Sequence, residues 1–176
     1  MYSDIINIRY AKYSDIAAIT DIYNYSIRHE ISTFEEVEIS VDEMKARYEE
    51  VVIKEKHPYI VATTRGKDGE IVIGYCYLLR YRARSGYRYT STDSIYIHHE
   101  HRGKRVGSLL LERIIEIAKE MNYYNMIGVA SGGNDVSIKL HKRFGFRFLC
   151  SMENVGLKFN QWINTDYFQL NFQLTQ

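Results

Sequence analysis

Apolar positions along this chain of 176 residues follow two rhythms. Alternation with period two marks strands, and recurrence every three or four residues marks helices. Ile5 to Tyr10 alternates as a strand. From Ser14, a candidate N-cap, Ile16, Ile19, Tyr23 and Ile27 share one helical face. Ser40-Val41-Asp42-Glu43 reads as a capping box that opens a helix carrying Met44, Tyr48, Val51 and Val52 and ending before Pro58. Tyr59 to Thr64 and Ile71 to Leu79 flank Lys67-Asp68-Gly69, which predicts an antiparallel hairpin. Tyr89 to His98 continues as a strand. Val106, Leu110, Ile114, Ile117 and Met121 form one stripe of a helix over 106–121. A short buried strand from Met126 to Ala130 follows. Asn134 to Phe144 is a helix closed by Gly145, and Phe146 to Val155 and Tyr167 to Leu174 end the chain as strands. The order βααββ then βαβαββ predicts a mixed sheet with helices packed on it.

Breakers occur only in short clusters, Gly66-Lys67-Asp68-Gly69, Ser85-Gly86 and Gly132-Gly133-Asn134-Asp135, so residues 1–176 are expected to form one domain. With 45% hydrophobic residues a sizeable core is available. The net charge of +1 gives no electrostatic footprint for nucleic acid or a membrane surface. No run reaches the roughly 18 apolar residues of a membrane span, and Met1-Tyr2-Ser3-Asp4 has no signal character, so a cytoplasmic location is expected. Sixteen tyrosines suit half-buried strands, clefts and interfaces, although AT-rich coding gives the same excess. Cys76 and Cys150 lie apart in strand-like runs and are expected as buried free thiols.

One segment carries chemistry. The strand Ile95-Tyr96-Ile97 leads through a basic glycine loop, Arg102-Gly103-Lys104-Arg105-Val106-Gly107-Ser108, into the apolar helix. A helix start offers unpaired N–H groups and the positive end of the macrodipole. Glycines let the backbone approach a ligand, and three cations flank them, which suits a pyrophosphate. A solvated helix start with surface cations is the plain alternative. Neither GxxxxGK[S/T] nor GxGxxG opens a helix here. His98-His99-Glu100-His101 lacks HExxH spacing and a second cluster, so no metal is expected.

The loop resembles the coenzyme A loop of the GNAT acetyltransferase superfamily, Arg/Gln-x-x-Gly-x-Gly/Ala. Arg102, Gly103, Val106 and Gly107 match, and Arg105 stands where the first glycine is usual. A left-handed backbone there would cost an arginine about 1 kcal/mol, whereas an ordinary helical φ, the expected case, tolerates it. Asn134-x-x-Ser137 with Leu140-His141 and Gly145-Phe146 is similar to the phosphinothricin N-acetyltransferase-like subfamily. So are Asp21-Ile22-Tyr23-Asn24, Thr33-Phe34, Ser94 to Ile97, and Gly156-x-Lys158-Phe159 with Trp162 and Asp166. The resemblance spans residues 8 to 172. It implies an α/β fold, a mixed, mostly antiparallel sheet of about seven strands with four flanking helices. It also implies one acyl-CoA N-acyltransferase domain, a homodimer, and acetyl transfer from acetyl-CoA to the primary amine of a small amino acid or analogue.

By the same resemblance, a bulged fourth strand places the backbone of Ile95, Tyr96 and Ile97 beside the acyl-pantetheine arm. Asn134, Ser137 and His141 border the cofactor, and His141 serves the leaving thiolate, unless it is simply a packed, hydrogen-bonded histidine. The subfamily's glutamate, two residues before Ser94, is replaced by Thr92, with Asp93 adjacent. The base is then Asp93, a water held by Thr92, or an acid from the acceptor segment, Glu30 or Glu35. Alternation along the strand points Asp93 away from the face of Thr92. Arg84 fits a carboxylate of the acceptor, with Phe34 and Tyr87 beside it. Two other readings remain open at this point: a non-catalytic acyl-CoA sensor and a protein or peptide N-acetyltransferase.

Overall fold

The computed structural model describes residues 5–67 and 69–172. The N-terminal Met1–Asp4, Asp68 of the expected turn, and residues 173–174 of the last expected strand lie outside it. Seven strands form one sheet: β1 (Asn7–Tyr10), β2 (Tyr59–Gly66), β3 (Gly69–Arg80), β4 (Thr90–Ile97), β5 (Asn125–Ser131), β6 (Arg147–Lys158) and β7 (Gln161–Asn171). Four helices accompany them: α1 (Ile16–His29), α2 (Val41–Glu49), α3 (Val106–Glu120) and α4 (Asp135–Arg143). The sheet runs β1-β2-β3-β4-β5-β7-β6 and is antiparallel except for β4 against β5. This is the mixed α/β fold that the order of elements predicts.

Strand alternation divides the core in two. On β2, Tyr59 and Val61 face a layer made with Ile19, Tyr23, Met44 and Tyr48 of α1 and α2. Ile60 and Ala62 face the other side, where Leu110, Leu111 and Ile114 of α3 pack with Cys76, Leu78 and Met126. Two helix starts follow from local chemistry. Ser40 Oγ accepts the Glu43 N–H at 3.1 Å, and Glu43 Oε2 accepts the Ser40 N–H at 2.7 Å. Asn134 Oδ1 accepts the Ser137 N–H at 3.2 Å and opens α4. Ser14 does not cap α1. It lies in a 3₁₀ turn, Tyr13–Asp15, where Asp15 accepts the Lys12 N–H at 2.7 Å and pairs with Arg9 at 2.8 Å.

Further differences from the expected pattern have physical causes. The last hairpin is longer than alternation suggests, because β6 and β7 turn at Phe159 and Asn160 with φ of 50° and 58°. Two left-handed residues suit a tight hairpin, but phenylalanine is not a turn residue by composition. Cys76 is buried, whereas Cys150 is exposed on β6, the edge strand. Met121 leaves the α3 stripe because the helix stops at Glu120, and it is partly exposed.

Candidate active site

The parallel pair β4–β5 is short. Thr90, Ser91 and Thr92 pair with Asn125, Met126 and Ile127, and there the pairing stops. β4 runs on to Ile97 beside β3, and β5 runs on to Ser131 beside β7. The strands therefore part after Thr92 and leave a notch in the sheet. Backbone groups of residues 94 to 97 that do not point at β3 face this notch without a strand partner. The register of β3 against β4 is unbroken from Arg80↔Ser91 to Gly74↔Ile97, so the expected bulge in β4 is absent. Divergence from β5 exposes the backbone instead.

The glycine loop lies directly beyond the notch. Gly103 has φ of 72° and nothing within 4 Å of where a Cβ would stand. Arg105 has φ of 65°, against the expected helical value. The loop must reverse here to start α3, and arginine accepts the left-handed conformation in the glycine's place. The first intrahelical bond is Leu109 N–H to Arg105 O at 3.1 Å, so the N–H groups of Val106, Gly107 and Ser108 precede it. Lys104 and Arg105 are exposed. Arg102 instead pairs with Glu30 at the end of α1 and donates to Ile97 O at 3.2 Å. Two left-handed residues, free N–H groups and cations make a cradle suited to an anion such as phosphate.

At the apex of the notch the sequence-predicted residues Asn134, Ser137, His141 and Asp93 come together. Asn134 caps the turn containing Ser137, and the Ser137 carbonyl accepts from His141 Nδ1 at 2.8 Å. His141 Nε2 lies 3.1 Å from Asp93 Oδ2. Both ring nitrogens face acceptors, so the ring serves both only with two protons. Burial alone would lower the His141 pKa, but the charge and hydrogen bond of Asp93, with the Ser137 carbonyl, outweigh it and raise it. The ring sits on Gly128 of β5, where a Cβ would lie 2.6 Å from His141 Cδ2. Asp93 Oδ1 and Ser91 Oγ are buried with no hydrogen-bond partner among the described residues.

Thr92 points to the opposite face, with Ser94 and Tyr96, toward α1 and α2. Tyr96 packs on Tyr75 and Tyr23 with ring centroids 5.2 and 5.1 Å apart. The segment after α1 covers this side. Phe34 lies over Gly156, Glu35 accepts from Arg47 at 2.7 Å, and Glu30 holds Ser26, Ser32 and Arg102. Lys158, which is 1% exposed, donates to Thr33 O at 2.6 Å and fixes the segment from beneath. Burial pushes the Lys158 pKa down. Arg84 and Tyr87 lie at the 3₁₀ turn Ser85–Tyr87 between β3 and β4, where Tyr87 packs on Tyr81.

Sequence reasoning missed Lys158 as an anchor and Arg47 as the partner of Glu35. A lysine inside an apolar strand end was the available signal for the first, whereas Arg47 looks like any exposed helix residue. His98, His99 and Glu100 bring ligand atoms within 4.8 Å of one another, but His98 Nδ1 already accepts the Glu100 N–H at 3.3 Å. Among the described residues no helix is long and apolar enough to cross a membrane.

The chain matches the Acetyltransferase (GNAT) family over residues 24–146. It is 33% identical, over 94% of both chains, to the L-methionine sulfoximine/L-methionine sulfone acetyltransferase of Salmonella typhimurium. It is 37% identical to the phosphinothricin N-acetyltransferase of Alcaligenes faecalis, over 90% of this chain and 78% of the relative. The crystal structure of a GNAT superfamily phosphinothricin acetyltransferase from Sinorhizobium meliloti in complex with acetyl-CoA superposes with a TM-score of 0.88. It is 33% identical and covers 95% of this chain and 88% of that one.

Proposed function

The chain belongs to the GNAT acetyltransferase family and is an acetyl-CoA-dependent N-acetyltransferase, and from that premise we propose that its acceptor is the primary amine of a small amino acid or amino-acid analogue. The parting of β4 from β5 beside the anion cradle carries this reading. The cradle at Arg102 to Ser108, with Lys104 and Arg105, takes the pyrophosphate. The acyl-pantetheine arm lies in the notch beside Ile95, Tyr96 and Ile97, pairing with those of their backbone groups that do not point at β3, and is bordered by Asn134 and Ser137. A free N–H there polarises the thioester carbonyl. The amine nitrogen attacks that carbon, the C–N bond forms, the C–S bond breaks, and coenzyme A leaves as thiolate.

Two protons must move. We assign the thiolate's proton to the His141–Asp93 pair, which holds one at the apex. The amine's proton goes to a water held by Thr92, on the face that the acceptor segment covers. Phe34 closes over the acceptor, and Arg84 and Tyr87 approach its carboxylate from the β3–β4 connection. The likeness to methionine sulfoximine and phosphinothricin acetyltransferases supports an amino-acid acceptor. A cytoplasmic single-domain protein without nucleic-acid, membrane or metal partners remains our reading. We further propose a homodimer. Its support is β6, an edge strand with Phe148, Leu149, Met152, Val155 and Leu157 exposed, next to Trp162, which is 64% exposed.

The test is release of coenzyme A thiol when acetyl-CoA meets a panel of amino acids and analogues, including L-methionine sulfoximine and phosphinothricin. Release with these acceptors supports the reading. Background release with every amine overturns it.

A further inference from the structure

The segment that follows α1 spans the mouth of the notch. Its first residue, Glu30, is tied to the end of β4, because Arg102 donates both to Glu30 and to Ile97 O, the latter at 3.2 Å. Its second residue, Ile31, is tied to the end of β5, because Ser131 Oγ donates to Ile31 O. The Ile97 carbonyl is one of the groups that point away from β3. His98 N–H donates to Ile73 O at 3.0 Å, so Ile97 and Gly74 form a non-hydrogen-bonded pair whose own N–H and C=O groups face outward. Arg102 thus covers a backbone group that lies along the path of the acyl-pantetheine arm.

The two members of the ion pair differ in how firmly they are held. Glu30 Oε2 accepts from Ser26 Oγ at 3.1 Å and from Ser32 Oγ at 3.0 Å, and the Glu30 N–H donates to Ser26 O at 3.0 Å. Its side chain is 18% exposed, against 45% for Arg102. The carboxylate is therefore fixed at the end of α1, and the guanidinium is the member free to swing. Arg102 also opens the glycine loop, so a phosphate in the cradle is a second anion within its reach. A phosphate offers the planar guanidinium two oxygens in the geometry it prefers. A fixed carboxylate and a visiting phosphate thus compete for one arginine.

We propose that Glu30 is a positioning residue that couples the acceptor segment to the cofactor: it holds Arg102 across the mouth of the notch when no cofactor is bound, and yields it to a phosphate of acetyl-CoA, which uncovers Ile97 O. The proposal rests on the cradle reading above and adds what the cofactor displaces there. Breaking the pair subtracts from cofactor binding. A partly exposed ion pair is worth a few-fold in an equilibrium constant, so Glu30 weakens coenzyme A about two- to fivefold. The effect runs through Arg102 and vanishes without it.

The experiment is calorimetric titration of coenzyme A into the wild type, Glu30→Gln, Arg102→Gln and the double variant, with melting temperatures to check folding. We expect Glu30→Gln to lower the Kd about two- to fivefold, a change that a loss of structure would not produce. In the Arg102→Gln background the same substitution should leave the Kd unchanged, because the coupling needs both partners. Glu30→Asp keeps the charge but stops one methylene short of Arg102, and it should tighten coenzyme A as well. Plain repulsion between Glu30 and the phosphates predicts otherwise: tightening in both backgrounds and none in Glu30→Asp. That result overturns the proposal, and so does an unchanged or higher Kd in Glu30→Gln. No binding by the wild type would overturn the cradle and the proposal with it, whereas wild-type binding without the Arg102-dependent effect overturns the proposal alone. The titration uses no acceptor, so it reads the same whether or not the amino-acid reading holds.

Discussion

His141 Nε2 and Asp93 Oδ2 lie 3.1 Å apart at the point where β4 leaves β5, both side chains almost wholly buried. The folded pKa of His141 is raised above its ordinary value. A raised histidine pKa contributes stability that is fully present below the unfolded value near 6.5 and lost as pH rises through the folded value. Unfolding free energy is therefore expected to fall as pH rises from about 6.5 into the alkaline range. Asp93→Asn should flatten that slope and cost about 3–5 kcal/mol, because one partner of a buried pair is removed. Urea melts at several pH values read both effects, and a slope unchanged in the variant would count against the pair.

Arg105 sits at φ of 65° where glycine carries no steric penalty. Arg105→Gly should release about 1 kcal/mol of backbone strain, partly offset by the freer unfolded chain, so a net gain of several tenths is expected. Arg105→Ala keeps the strain and gains nothing. If the guanidinium meets a phosphate, both variants raise KM for acetyl-CoA by a similar factor. Thermal melts and initial rates together separate backbone from charge.

Thr92 occupies the face that the acceptor segment covers. Thr92→Glu places a carboxylate there. A positioned base contributes about 10²–10⁴-fold, so a rise in kcat of tenfold or more is expected near neutral pH. An unchanged kcat would mean that amine deprotonation does not limit turnover through this position.

Lys158 holds the Thr33 carbonyl from inside the fold. Lys158→Met keeps the stem volume and removes the donor, leaving that carbonyl unsatisfied at a cost of about 1–3 kcal/mol. Because Thr33 precedes Phe34, acceptor KM should rise more than KM for acetyl-CoA. Equal changes in both would argue for a general loss of packing.

The succession of strands and helices along the chain was legible because period-two and period-3.6 patterns report burial directly, as in Tyr59–Ala62 and Val106–Ala118. The glycine loop and the Asn134–His141 segment were legible because few residue types satisfy a helix start or a cap. Arg105 was misjudged because sequence carries residue type and not φ, and an arginine gives no hint of a left-handed backbone. The Phe159–Asn160 turn was hidden for the same reason. Asp93 and His141 are 48 residues apart, and the packing of α4 on β5, together with the pairing of β5 with β4, brings them together. The pairing of Arg47 with Glu35 depends on two segments at once, which no local pattern encodes.

Among the described residues three ladder pairs join β4 to β5, and no other strand pairing links β1–β4 to β5–β7. The sheet is thus two leaves with a narrow seam, and a pantetheine arm laid in the notch would act as an extra strand along it. Ligand occupancy should then register as mechanical closure. Amide exchange near the seam should slow, and the melting temperature should climb with acetyl-CoA concentration as RT ln(1 + [L]/Kd) requires.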